Sequence, residues 1–178
     1  MHIIIGLIGL IGLLVGIYYF FVRAQNTVYI AGEMADMAQT ALGAARRFGF
    51  RRQANKHPVE CIEEPPLAVA GLASAYLGLD EFPTEEARQG LIVGLQSELD
   101  VSMKEAEELS VLGNWFVQEC QGPDPAISRL SRKLHRLAGP EGLVSAMGVI
   151  SHIAKQSGTE PSKKQIEALD EIKQIFKV

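Results

Sequence analysis

The chain has 178 residues, 47% of them apolar, which is room for one ordinary domain and an anchor. Its 17 basic and 21 acidic side chains leave a formal net charge of −4. That balance argues against a general nucleic-acid-binding surface, which is basic. The two cysteines, Cys61 and Cys120, are too few for a disulfide scaffold and too isolated for a CxxC metal site. They read as small buried thiols in a reducing compartment, with a Cys61–Cys120 disulfide as the alternative.

Residues 3–22 read IIIGLIGLIGLLVGIYYFFV, without a charge. As a helix rising about 1.5 Å per residue this stretch is about 30 Å long, the thickness of a hydrocarbon core. Tyr18 and Tyr19 suit the headgroup level near its end, and Arg23 closes it. Residues 1–23 therefore predict a single transmembrane helix. A cleaved signal peptide, cut near Val22-Arg23-Ala24, is the alternative, but no Lys or Arg precedes the apolar run. Arg23, Arg46, Arg47, Arg51, Arg52 and Lys56 all follow the span. The positive-inside rule then places the N-terminus outside and the C-terminal domain in the cytoplasm, on a bacterial inner membrane. Gly12 and Gly16 form a small-xxx-small pair, which permits close packing on a second helix and a homodimer through the span, or has no role.

Residues 24–57 predict a helical juxtamembrane segment and a basic linker. Val28, Ala31, Met34, Ala35, Ala38, Ala41, Leu42 and Ala45 recur at helical period, and Gly49 is the expected stop. The cluster Arg46, Arg47, Phe48, Gly49, Phe50, Arg51 and Arg52 is either a solvated linker or a contact for anionic lipid or an acidic partner.

Helix punctuation then becomes legible across 58–178. A first helix is expected over 67–78. Thr84, followed by Glu85 and Glu86, caps a second. Ser102 and Glu105 form a capping box for a third, ending near Cys120. Asp124-Pro125 opens a fourth, stopped by Gly139-Pro140. A fifth covers about 142–156 with Gly158 at its end, and Ser162 with Gln165 boxes a last one. No segment alternates with period two, so the expectation is an all-α bundle of about six helices behind the anchor.

An internal repeat runs through these helices. Pro83-Thr84 and Pro161-Ser162 open matching ones, and Leu72, Ala75 and Leu91 fall in register with Ile150, Ile153 and Leu169. With its two loops, Asp80-Glu81-Phe82-Pro83-Thr84-Glu85-Glu86 and Ser157-Gly158-Thr159-Glu160-Pro161-Ser162, this pattern resembles the TerB-like (tellurite-resistance-type) helical domains over about residues 58–178. The resemblance implies an oxygen-ligand divalent-cation site, for which Asp80, Glu81, Glu85 and Glu86 are the candidates. Glu81 stands where the family usually has Gly, Ser157 where it has Asp, and Gln165 where a later acid is expected. A hard cation needs several convergent carboxylates, so neither metal nor cofactor is expected. An anchor before such a domain is also similar to an inner-membrane J-domain co-chaperone. The His-Pro-Asp turn is here His57-Pro58-Val59, and that activity is not expected.

No GxSxG, HExxH, P-loop or dinucleotide fingerprint occurs, and His2, His57, His135 and His152 are scattered. His152, on an apolar helix, reads as a core histidine rather than a base. Trp115 and Phe116 read as core, or else as a docking patch. On the fourth predicted helix Arg129, Arg132, Lys133 and Arg136 occupy one arc, and Ile127, Leu130, Leu134 and Leu137 another. The basic arc is a solvated face or a docking surface for acidic protein or anionic headgroups. The sequence thus predicts a non-catalytic, membrane-anchored interaction module, a scaffold or accessory subunit of a larger cytoplasmic-membrane complex. Its rival is a divalent-cation-binding stress-response sensor of the TerB type.

Overall fold

Hydroxyl caps start three helices of this protein where the sequence places them, at Thr84, Ser102 and Ser162. The helix expected from Leu67 opens instead at Pro65, and the one expected behind an Asp124 cap opens at Pro123, behind Gly122. The computed structural model describes Gly43, Ala45 and residues 47–177, which fall within one compact unit, Thr40–Val178. A 3-10 turn, Pro58–Cys61, precedes α1 (Pro65–Gly78), α2 (Glu85–Leu99), α3 (Met103–Glu119), α4 (Pro123–Ser157) and α5 (Lys163–Phe176). The described residues are all-helical, with five helices and no strand. The predicted span 3–22, its Gly12 and Gly16, and the juxtamembrane stripe as far as Leu42 lie outside the described residues. No helix among the described residues is long and apolar enough to cross a membrane.

The Thr84 hydroxyl accepts the Ala87 amide at 3.1 Å. Ser102 with Glu105 and Ser162 with Gln165 form reciprocal capping boxes at the starts of α3 and α5. These bonds satisfy amides that a helix start otherwise leaves unpaired.

The fourth and fifth expected helices are the two arms of α4, parted at Gly139 where the sequence puts the stop. α4 contains Gly139 at φ 55° and ψ −142°, outside the helical region, in a conformation that a residue without a Cβ reaches at least cost. Pro123, at the start of α4, sits within van der Waals reach of the Gly78 position of α1. Ile153, near the end of α4, lines a crevice with Tyr76 and Leu77 of the same turn of α1. Thirty residues of straight helix would separate those positions by about 45 Å. The Gly139-Pro140 bend therefore folds α4 back into a hairpin.

α1 fills the centre. From Leu67 to Leu77 every residue is buried, as expected of a helix that is apolar all round. Its small residues admit its neighbours: Leu130 of α4 reaches Gly71, and Gly113 of α3 faces the backbone of Ala70 and the hydroxyl of Ser74. α2 meets α4 through Gly90 and Gly94. A Cβ on Gly90 would lie 2.9 Å from the His152 carbonyl oxygen, and one on Gly94 would lie 3.1 Å from Val149 Cα. The core also takes in Leu91, Leu95, Leu109, Leu112, Phe116, Ile127, Leu134, Val149, Ile150 and Ile172.

Candidate functional site: a basic groove on the first arm of α4

The first arm of α4 turns Ala126, Ile127, Leu130, Ser131 and Leu134 into the core. At helical period this leaves Arg129, Arg132 and Arg136 on the outside, where all three are exposed, while Lys133 is half-buried. Together with His135, Ile175 and Lys177 the three arginines line an open groove of about 890 Å³. The 3-10 turn contributes Glu60 to its wall and the end of α3 contributes Cys120.

α5 closes one side of this groove. The Ser128 hydroxyl donates to the Glu171 carboxylate, and the His135 ring meets Phe176 edge-on at 5.0 Å. Lys177 caps α5 in the left-handed conformation, φ 59°. On the other side Lys133 Nζ donates to the Glu60 carbonyl at 2.9 Å, and the Arg136 guanidinium meets the Glu60 carboxylate at 2.6 Å. The four basic residues expected to act alike are thus divided. Lys133 and Arg136 tie the 3-10 turn to α4. Among the described residues, Arg129 and Arg132 have no carboxylate at ion-pair distance. Sequence reasoning missed Lys177 and Glu60 as groove residues, because only the packing of α5 and the 3-10 turn brings them to the arc, and it missed His135, which lies on the same arm of α4.

The acidic loop is arranged differently. Asp80 Oδ1 accepts the Phe82 amide at 3.0 Å, an Asx turn that occupies one of its oxygens. Glu81, Glu85 and Glu86 are exposed, and Glu85 lies 4.0 Å from Arg88 on the next turn. No three His, Cys, Asp or Glu side chains among the described residues converge to hold a metal ion. Both repeat loops do meet: Tyr76, Asp80, Ser157, Thr159 and Gln165 share a crevice of about 10 Å³, the size of a single water site. Phe82 points away from the protein and is 85% exposed.

The cluster expected as a solvated linker or lipid contact is docked on α3 from Arg47 onward. Gly49 adopts φ 67° and the Phe50 amide returns to the Ala45 carbonyl at 2.7 Å, the closure that ends a helix with a left-handed residue. Arg47 Nε lies 3.1 Å from Glu108 and Arg52 lies 3.6 Å from Glu119. Phe50 stacks edge-on against Trp115 and Phe116, at 5.6 and 5.3 Å between ring centres, so Trp115 packs on a neighbouring segment. His57 accepts the Val59 amide on Nδ1, and its Nε2 lies 3.1 Å from the Glu119 carbonyl. That pair of partners selects the Nε2–H tautomer. His152, read as a core residue, is half-buried with Nε2 3.5 Å from Glu98. Both cysteines are buried and free. Burial pushes the Cys120 thiol above its ordinary range.

Comparison of the chain with protein-family models, curated proteins and solved structures finds no match.

Proposed function

We propose that this protein is a non-catalytic interaction module, held on a cytoplasmic membrane by its uncharged N-terminal stretch, which docks acidic protein surface in the groove of α4. The observation that carries this reading is the groove itself. Arg129, Arg132, Arg136 and Lys177 line it, with Arg136 paired to Glu60, the one acid among its described lining residues, on a chain whose net charge is −4. Cations concentrated in a concave surface steer and orient an acidic partner. Shape favours protein over bilayer, since a concave surface offers a flat headgroup plane little contact. In this role the protein is a scaffold or accessory subunit of a larger membrane assembly, and a TerB-like origin of the helical domain is its family context. Confinement to one bilayer raises the effective concentration of even a weak contact.

The test is purification of the full-length chain in mild detergent, followed by Arg129→Glu with Arg132→Glu. Neither side chain enters the core, so folding and membrane insertion are unchanged while a copurifying partner is released. A reversed protein that stays helical, melts normally and keeps its partner at low salt makes the basic arc a solvated face and sinks the reading.

A further inference from the structure

We infer that the groove's occupant is a second copy of this chain, presenting its own Phe82 loop; this rests on the docking role proposed for the groove. Both halves of such a contact are present on the molecule. The loop carries Glu81, Glu85 and Glu86, all exposed, around a phenylalanine that is 85% exposed. An aromatic ring exposed at a loop tip offers apolar area for a partner to cover. The Asp80–Phe82 turn holds that tip in one shape before binding, which lowers the entropy lost when it is captured. The groove offers the complement: Arg129 and Arg132, without an ion-pair partner among the described residues, beside the apolar surface of Ile175 and Pro125.

Arg129 and Arg132 stand one helical turn apart, about 4.5 Å along the axis, and both are exposed. Two cations so spaced face the carboxylates that flank the ring of the loop. The acids make the same loop a poor fit to an anionic bilayer.

A charge exchange tests the inference. The full-length chain in detergent, in a Gly12→Leu, Gly16→Leu background that removes packing of the spans, is measured by sedimentation at low and high salt. Self-association is expected, weakening as salt rises. Arg129→Glu with Arg132→Glu weakens it by about tenfold or more, as loss of close interfacial charge pairs does, and so does Glu81→Lys with Glu85→Lys and Glu86→Lys. Mixing the two reversed proteins restores association, because each loop then faces a groove of opposite sign. Phe82→Ser, a change at an exposed position that leaves the fold intact, also weakens it. A monomer under all conditions overturns the inference, as does an association indifferent to both reversals. If that monomer still loses a different copurifying protein on Arg129→Glu with Arg132→Glu, the docking role stands and only the identity of the occupant fails.

Discussion

Gln165 shows how one side chain can decide between two acids and an amide. It is buried, and its Oε1 accepts the Ser162 amide at 2.9 Å while Nε2 donates to the Tyr76 carbonyl at 3.4 Å. A glutamate retains the first bond but sets a carboxylate oxygen against the Tyr76 carbonyl, with no donor between them. Gln165→Glu should therefore destabilise the fold at neutral pH by about 1–3 kcal/mol, the cost of leaving a buried polar group unpaired. A protonated carboxyl donates to Tyr76 as the amide does, so the loss should be smaller in acid than at neutral pH. Denaturant melts across pH check this; a loss that is independent of pH would contradict it.

At the scale of the element, the two kinds of essential glycine separate cleanly. Gly139 has open space around its Cβ position but a left-handed φ of 55°. Gly90 has helical geometry but a backbone carbonyl 2.9 Å from that position. Gly139→Ala should cost about 1–3 kcal/mol through backbone strain alone. Gly90→Ala should cost a similar amount, about 1–3 kcal/mol, by forcing α2 away from α4, even though alanine is the better helix former by about 1 kcal/mol. Chemical denaturation of each variant measures both. A stabilised Gly90→Ala would show that the α2–α4 approach yields easily.

The capping box of α3 adds a pH dependence at the same scale. The Ser102 hydroxyl and amide donate to Glu105 Oε2 at 2.7 and 2.9 Å. Those bonds, the side-chain one foremost, hold the Glu105 carboxyl below its ordinary value of 4.5. A depressed folded pKa means stability that is present above the unfolded value and lost as pH falls through the folded one. Glu105→Gln, which has the chemistry of the Ser162–Gln165 box, should remove that part of the acid dependence while preserving the helix. An unchanged acid profile in thermal melts would show that the box contributes nothing to it.

For the whole molecule, the placement of the domain relative to the membrane is a prediction of residues 1–23. The basic residues that follow the uncharged stretch predict that a reporter fused after residue 178 is active only in the cytoplasm. Activity in the exterior compartment, or a mature N-terminus at Gln25, would overturn this topology.

Helix starts were legible in the sequence because caps are local: Thr84, Ser102 and Ser162 need only the amide three residues ahead of them. So were the break at Gly139 and the division of α4's first arm into a buried stripe and a basic arc, which follow from 3.6-residue periodicity. How these pieces meet was decided by tertiary structure alone. Gly90 and Gly94 look like ordinary weak points in a helix until α4 is laid against them. Arg46, Arg47, Phe48 and Phe50 read as a basic-aromatic linker until the surface of α3 supplies Glu108, Trp115 and Phe116 beside Arg47 and Phe50. The basic arc could be read as one face of four equal charges until the 3-10 turn, more than seventy residues earlier, takes Lys133 and Arg136 through Glu60 and leaves Arg129 and Arg132 open. Local hydrogen bonds and periodicity are written within one turn of chain. Which charge finds a partner depends on contacts far apart in sequence, and only the folded core brings those together.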